Sequence, residues 1–279
     1  MRAGRPSATA VGAAAFRAGH LHLFDGPPIH ADSFALALAG IDGPAALRAR
    51  FARSEPPGLR RVCAYFSLRH RFSEERLASA VARGVAQVVL LGAGLDSFAL
   101  RHPEIPKQVR FVEIDHPDSQ RWKLERLDAL GLSTAGVHYV PVDFASQDLA
   151  AELVAAGVDP AQPAFFAWLG VTQYIAASAA LQTISLVSRH AVGSEIVFDV
   201  ILPLAAEEHA ISSFAEAGSQ RHGEAWVSYF RPEQLARDLL ALGFRRVDTL
   251  SPGLAAAYYA GQPPEVTPLR AWQLMAAAV

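Results

Sequence analysis

Short runs of consecutive apolar residues alternate along the chain with longer stretches in which apolar positions recur every three or four residues. Uninterrupted apolar runs are typical of strands buried on both faces, and the longer period is typical of helices with one buried face. Strands are therefore expected at 88–91, 110–115, 137–142, 164–169, 194–200, 244–250 and 268–276. Helices are expected at 8–22, 33–39, 44–53, 62–84, 117–130, 146–156, 176–190, 232–242 and 252–259. This alternation predicts an α/β fold with a mostly parallel sheet.

The first expected strand ends abruptly at two glycines, Gly92 and Gly94, and Asp96 follows them. Glycines at this point allow a tight turn and let a ligand lie against bare backbone. A Rossmann-like sheet presents such a loop to a nucleotide-like cofactor. The glycine pair alone fits an ordinary strand-to-helix turn equally well.

The second expected strand ends in acidic residues, and Asp115 lies about 20 residues beyond the glycines, where a carboxylate can bind ribose hydroxyls. A dinucleotide fingerprint has a third glycine, and this chain has Ser97 in its place. Asp96 would also face a pyrophosphate, whereas a sulfonium cofactor with a free amino group tolerates a carboxylate. The loop therefore favours S-adenosylmethionine, and NAD is the less favoured alternative.

Two motifs together resemble a known family. The first is Leu91-Gly-Ala-Gly-Leu-Asp-Ser97 with Arg101 behind it, and the second is Phe111-Val-Glu-Ile-Asp-His-Pro117 with Lys123. They are similar to the leucine carboxyl methyltransferase family, above all to its bacterial branch of carboxyl O-methyltransferases of secondary metabolism. The resemblance runs from about residue 8 to about residue 276. It implies a Rossmann-like, seven-stranded class I methyltransferase sheet with helices on both faces and one antiparallel strand.

The resemblance also implies the residues that bind S-adenosylmethionine. These are Arg69, Gly92, Ala93, Gly94, Asp96, Asp115, Asp143, Phe144 and Leu169. Arg69 would clamp the carboxylate of the methionine part with its guanidinium fork, and Arg71 is the alternative. Asp143 would accept from the adenine amine, although an Asp at a strand end also fits a helix cap. Leu169 stands where eukaryotic members have Glu, so the resemblance does not decide whether this position makes a polar contact to the cofactor.

The chain is expected to form one methyltransferase domain over 1–279, with a helical cap at 1–60 and a cofactor-binding core at 61–200. A mixed polar and aromatic segment at 201–230 breaks the alternation and is expected to be an irregular insertion that forms a substrate lid. Residues 231–279 would complete the sheet. Candidate substrate-binding residues are His20, Tyr174, Trp226 and Tyr229. His20 could instead pack between helices, and Tyr174 could instead belong to the apolar core.

The composition of the chain limits the kinds of binding partner and cellular compartment that are expected. The 279 residues carry 25 basic and 27 acidic side chains, so nothing in the formal charge of −2 points to nucleic acid or to an acidic membrane. The early apolar stretch is too short to span a bilayer. The single cysteine, Cys63, fits a reducing compartment, and a cytoplasmic location is expected. No His/Cys cluster has metal spacing, so no metal is expected. A monomer and a homodimer both remain open.

These features predict an S-adenosylmethionine-dependent O-methyltransferase acting on the carboxylate of a small or medium-sized metabolite. A carboxylate is already ionised at neutral pH and needs no general base, and no residue stands out as a base or as another catalytic group. Alternatives are a hydroxyl, nitrogen or carbon acceptor in the same fold, or a protein that binds the cofactor without transferring methyl.

Overall fold

The computed structural model describes residues 7–144, 146–203 and 208–279. The helices are α1 (Ala8–His22), α2 (Ala35–Leu38), α3 (Gly43–Ser54), α4 (Leu59–Ala82), α5 (Phe98–Arg101), α6 (Ile105–Gln108), α7 (Pro117–Ala129), α8 (Leu149–Ala155), α9 (Ala177–Val187), α10 (His209–Arg221), α11 (Pro232–Ala241) and α12 (Pro252–Tyr258), with a 3₁₀ turn at Thr172–Tyr174. The strands are β1 (Gln87–Leu91), β2 (Arg110–Asp115), β3 (Val137–Pro141), β4 (Phe165–Trp168), β5 (Glu195–Ile201), β6 (Arg246–Thr249) and β7 (Trp272–Ala278).

The seven strands form one sheet in the order β3-β2-β1-β4-β5-β7-β6. Strands β1 to β5 pair in parallel, and β7 lies antiparallel between β5 and β6. This is the α/β, Rossmann-like, seven-stranded sheet with one antiparallel strand that the resemblance implies, so that prediction is confirmed. The chain order reverses between β1 and β4, and ligands bind at such a crevice beyond the carboxyl ends of the strands.

The two faces of the sheet carry separate apolar cores, because neighbouring residues of a strand point to opposite sides. Val89 and Leu91 of β1 belong to a core shared with α8, α9 and α11. Val88 and Leu90 belong to a second core shared with α4 and α12. The four apolar residues 88–91 of β1 are buried, as their uninterrupted run predicts, and the strand begins one residue earlier at the buried Gln87.

The lid segment differs from its prediction. Part of 201–230 folds into the regular helix α10, where an irregular insertion was expected. Its apolar residues Ile211, Phe214 and Ala215 line a cavity. Their packing stabilises the helix, whereas the many polar residues of this segment do not predict one. Residues 204–207 of the segment lie outside the described residues. No described helix combines the length and the apolar character needed to cross a membrane.

Candidate active site

A cavity of about 480 Å³ opens at the carboxyl ends of the central strands. Its floor consists of the residues that follow β1, β2 and β4, and of Asp199 and Ile201 in β5. Helices α1, α3, α4 and α10 enclose it from the other side. One half is therefore a set of backbone turns at the sheet edge, and the other half is a helical wall.

The glycine loop forms part of the floor, and its two glycines have left-handed backbone angles. Gly92 has φ of +63° and Gly94 has φ of +52°. A Cβ at Gly92 would stand 2.6 Å from Cγ2 of Val171. Both the backbone angle and the close approach require glycine at position 92. The next residue, Ala93, donates its N–H to the Ile114 carbonyl (3.0 Å), which ties the loop to β2.

Asp115 at the end of β2 faces the same cavity. One of its carboxylate oxygens accepts from the Gly94 N–H, and the other accepts from the His116 N–H (2.6 Å). Burial raises the pKa of this carboxyl above its usual value, although the two backbone donors favour the charged form. Each oxygen keeps a further lone pair, so the carboxylate can still accept hydrogen bonds from a ligand.

Asp96 is held by a chain of buried polar groups. Nδ1 of His70 lies 3.3 Å from one oxygen of Asp96, and Nε2 of His70 lies 3.2 Å from Nη1 of Arg17. A guanidinium only donates, so Nε2 accepts and Nδ1–H donates to Asp96. Burial lowers the pKa of His70 to about 4, which agrees with this neutral tautomer. Burial would raise the pKa of Asp96, but the hydrogen bond from His70 holds it well below its usual range.

Sequence reasoning missed the role of Arg17 in this region. Its Nε donates to Asp32 (2.7 Å) and its Nη2 donates to the Leu95 carbonyl (2.6 Å) of the glycine loop. Asp32 also accepts from Ser97 Oγ (2.7 Å). Burial would raise the pKa of Asp32, but the charge of Arg17 and the Ser97 hydrogen bond lower it to about 2. Nothing in the sequence couples residues 17 and 32 to the loop, since they lie far from it along the chain.

Arg69 lines the cavity, and its guanidinium is buried. Its Nη1 donates to Asp199 Oδ2 (3.3 Å), and its guanidinium carbon lies 4.2 Å from the centre of the Phe66 ring. Within the described residues, the Nε and Nη2 donors of Arg69 have no hydrogen-bond partner. These two N–H groups share one edge of the fork, the edge that binds a carboxylate through two parallel bonds. Arg71, the alternative, is partly exposed and pairs with Glu75 (2.8 Å).

The other predicted cofactor residues divide between the cavity and its surroundings. Ala93, Phe144 and Leu169 line the cavity. Asp143 is not among the described lining residues; its carboxylate accepts from Ser146 Oγ (2.9 Å), and the helix cap that follows is Asp148. The structure therefore brings eight of the nine predicted cofactor residues to one cavity and leaves Asp143 beside it.

Two of the four predicted substrate-binding residues line the cavity, and two do not. Tyr174 and Trp226 line the cavity. His20 and Tyr229 are not among the described lining residues. Nε2 of His20 accepts from the Ile29 N–H (2.9 Å) in a buried position, which matches the helix-packing alternative. The Tyr229 hydroxyl donates to Glu216 (2.8 Å) within the lid segment.

Two glutamates fix the lid segment to the rest of the fold. Glu208, just before α10, pairs with Arg61 of α4 (2.6 Å) and accepts from the Ala271 N–H (2.8 Å). Glu224, just after α10, accepts from the hydroxyls of Ser7 (3.1 Å) and Thr9 at the start of α1. The segment is therefore attached at both ends, and α10 lies over the cavity between the two attachments.

The model of the leucine carboxyl methyltransferase family matches residues 10–188. The chain belongs to this family. YktD of Bacillus subtilis is 31% identical over 194 residues, which cover 66% of this chain and 62% of YktD. A Mycolicibacterium smegmatis protein is 37% identical over 206 residues, covering 69% of this chain and 62% of that protein. Both are named, provisionally, as S-adenosyl-L-methionine-dependent methyltransferases. The matches thus span about three fifths of each relative's length.

Two solved structures share the fold at low sequence identity. A DUF574 family protein of Streptomyces avermitilis superposes with a TM-score of 0.58 at 16% identity, over 87% of this chain and 94% of that one. A protein of Thermobifida fusca, provisionally described as a methyltransferase, superposes with a TM-score of 0.57 at 17% identity, over 99% of this chain and 96% of that one. Together with the family match, they confirm the resemblance and the fold class that the two motifs indicated.

Proposed function

We propose that the protein is an S-adenosylmethionine-dependent O-methyltransferase that methylates a carboxylate of a small or medium-sized metabolite, with a role in secondary metabolism. The observation that carries this proposal is the convergence of the glycine loop, Asp115 and Arg69 on one cavity whose other half is a helical wall. The family match and the names of the relatives support the cofactor.

The residues of the cavity fit this cofactor. Gly92 has no side chain because Val171 occupies that space, and its backbone lines the cavity, where a ligand can lie against it. Asp115 would accept from the ribose hydroxyls, and the unpartnered edge of Arg69 would bind the methionine carboxylate. Asp96 would face the amino group, and Phe144 would flank the adenine ring. Leu169 would contribute its backbone, which needs no particular side chain.

When bound, S-adenosylmethionine supplies a methyl group that its sulfonium has already activated. The chain then has to bind both substrates, align them and exclude water, and alignment alone can supply a large part of the acceleration. A carboxylic acid with a pKa of about 4 is already ionised at neutral pH and needs no base. His70 is not available as a base, because Nε2 accepts from Arg17 and Nδ1–H donates to Asp96. A carboxylate acceptor, which arrives ionised, has no need of a base at this position.

The proposal extends to the organisation of the chain. Residues 7–60 act as a cap over the cavity, 61–200 bind the cofactor, 208–230 form a lid over the acceptor, and 231–279 complete the sheet. The buried, unpaired thiol of Cys63 fits a reducing, cytoplasmic setting. The acceptor is a small molecule, and the mechanism requires no metal.

The first experiment is calorimetric titration with S-adenosylhomocysteine, with NADH as the control. We expect micromolar binding of the first ligand alone. Arg69→Gln and Asp115→Asn should each weaken that binding at least tenfold, because each removes a charged partner of the cofactor. Arg48→Gln, on the exposed surface of α3, is the matched control and should bind as the wild type does. Absence of binding, or binding of NADH instead, would overturn the cofactor assignment.

The second experiment tests the acceptor. The protein is incubated with methyl-labelled S-adenosylmethionine and a panel of carboxylic acids, phenols and amines of similar size. We expect label in base-labile methyl esters of the acids. Label that survives mild base, carried by a phenol or an amine, would contradict carboxyl methylation and leave the cofactor assignment intact.

A further inference from the structure

The half of the cavity opposite the glycine loop is walled by aromatic rings. Phe16 stacks on Phe51 with ring centroids 5.4 Å apart, and Phe66 lies 5.0 Å from Phe16. Tyr65 meets Trp272 edge-on at 5.0 Å. These residues come from α1, α3, α4 and β7, and all of them line the cavity. Walls of this kind favour a flat, largely apolar ligand, because rings gain most from stacked or edge-on contact.

Two indoles in this wall have N–H groups without partners. Trp226 and Trp272 are more than nine-tenths buried, and their Nε1 atoms meet no acceptor within the described residues. Their rings lie 6.4 Å apart and both line the cavity. An indole nitrogen only donates, and a buried donor without an acceptor is costly. Both nitrogens lie below the surface of the wall, so the two indoles contribute ring surface to the cavity and no accessible donor.

Two exposed arginines, which we call the rim, also line the cavity. Arg50 of α3 and Arg221 at the end of α10 are exposed, and both line the cavity. Neither side chain forms an ion pair or a hydrogen bond with another described residue. The carboxylate of Glu224 also lines the cavity and accepts from Ser7 and Thr9, but it forms no ion pair with either arginine. Two guanidinium groups, one on the cap and one on the lid, are thus left for an anion.

The position of the rim decides which part of a ligand would reach it. The residues proposed to hold the cofactor lie beyond the carboxyl ends of the central strands, so the methyl-accepting group has to reach that floor of the cavity. Arg50 and Arg221 belong to the cap and lid helices on the other side of the cavity. An anionic group held by these arginines is therefore not the group that receives the methyl.

We propose that the acceptor is a flat aromatic acid that carries a second anionic group, a carboxylate or sulfate-like group, at the end remote from the methylated carboxylate, and that Arg50 and Arg221 bind this second group. The inference rests on the proposed function and extends it by naming the class of acceptor. The aromatic rings of the wall hold the body of the acceptor, and Arg50 and Arg221 select for the remote charge.

Two dyes of nearly the same shape test this without knowledge of the acceptor. 8-Anilinonaphthalene-1-sulfonate has a flat aromatic body and one anionic group, and N-phenyl-1-naphthylamine is its uncharged analogue. Both are titrated into protein with S-adenosylhomocysteine present in excess, and binding is followed by dye fluorescence excited through tryptophan. We expect the sulfonate to bind at least tenfold more tightly than the neutral dye, and we expect this preference to shrink as NaCl is raised from about 0.05 to 0.5 M.

The double variant Arg50→Gln/Arg221→Gln should lose the preference, binding the sulfonate about tenfold more weakly and the neutral dye within twofold of wild type. Arg48→Gln/Arg53→Gln is the matched control, because it removes the same charge from exposed positions of α3 outside the described lining. Phe214→Ala, in the wall, should weaken both dyes if they occupy the cavity. Should that single variant fail to fold, Val62→Ala offers a milder change in the same lining.

Equal binding of the two dyes by the wild type would overturn the inference, and so would a preference that survives in Arg50→Gln/Arg221→Gln. Dye binding that is unchanged by both wall variants would also overturn it, because the dye would then sit elsewhere. The proposed function fails separately: wild-type protein that does not bind S-adenosylhomocysteine contradicts the cofactor assignment, whatever the dyes do.

Discussion

Ser7 and Glu224 lie 217 residues apart in the chain and are joined by a hydrogen bond of 3.1 Å. Thr9 donates to the same carboxylate oxygen. The pair connects the start of the cap to the end of the lid, and all three residues line the cavity. The contact therefore joins the cap to the lid segment within the lining of the cavity.

The first prediction concerns this contact. Thr9→Val keeps the shape of the side chain and removes its donor, so the lid should open more often. We expect S-adenosylhomocysteine to dissociate about three to ten times faster, with little change in melting temperature, because one exposed-edge hydrogen bond contributes about 1 kcal/mol. Stopped-flow tryptophan fluorescence measures the rate. Ser213→Ala, elsewhere on α10, is the control, and a Thr9→Val rate equal to the control would contradict the role of the contact.

The second prediction concerns the glycine loop. Gly92→Ala adds a methyl group 2.6 Å from Val171 at a φ of +63°, so it should destabilise the fold by about 1–3 kcal/mol and weaken S-adenosylhomocysteine at least tenfold. Gly84→Ala is a close control, because its φ is +93° and nothing lies within 4 Å of the added atom. That variant should cost stability and keep its affinity. Titration and thermal melting separate the two effects, and equal loss of affinity in both would count against a specific role for Gly92.

The third prediction concerns the buried pair under the loop. Arg17 and Asp32 are only 3% and 1% exposed as side chains. Asp32→Asn leaves the guanidinium charge without its partner, and we expect a loss of about 3–5 kcal/mol in the free energy of unfolding, measured with urea. Arg121→Gln breaks an exposed pair with Asp118 and should cost less than about 1 kcal/mol. Similar losses in the two variants would show that the buried pair is not essential to the loop.

The fourth prediction concerns acid stability. Burial lowers the pKa of His20 from 6.5 to about 4. The His20 imidazole is therefore protonated near pH 6.5 in the unfolded chain and only near pH 4 in the folded chain. The free energy of unfolding falls as the pH drops through this interval. His20→Gln keeps an acceptor for the Ile29 N–H and removes the titration. The slope of unfolding free energy against pH should decrease by up to about 1.4 kcal/mol per pH unit.

The control for that measurement is His138→Gln, on the exposed face of β3. Its side chain is exposed in the folded chain, so this variant makes the same exchange of histidine for glutamine without removing a buried group. If His20→Gln had the slope of the wild type, the buried imidazole would be titrating equally in both states, and its proposed packing role would be wrong.

The sheet could be predicted from the sequence because its strands are short apolar runs bounded by glycines and polar residues. The bounds of β2 and of α1 agree with their predictions residue for residue. The last strand was expected from residue 268 and begins at Trp272, because Leu269 and Ala271 are equally apolar yet pack outside the ladder. Helix α10 was missed because its sequence mixes serine, glycine and histidine, and its stability depends on packing that only the folded chain supplies.

The parts of the candidate site that belong to a local sequence motif could be predicted. The glycine loop and the residues at the ends of β2 and β4 line one cavity, since strand ends meet at one edge of a parallel sheet. The polar chain through Arg17, Asp32 and His70 could not be predicted, because it depends on how three separate segments pack. His20 and Tyr229 illustrate the same limit: a plausible side chain in the right segment can point away from the cavity.

The family match ends at residue 188, ahead of β5 and of the lid helix. The floor that would hold the cofactor lies mostly inside the matched part, while Phe214, Arg221 and Trp226 of the acceptor wall lie beyond it. Under the proposed function, two relatives could share one methyl donor and take different acceptors, and exchange of residues 208–226 would replace Phe214, Arg221 and Trp226 together while Arg50 and the rings of the cap stay in place.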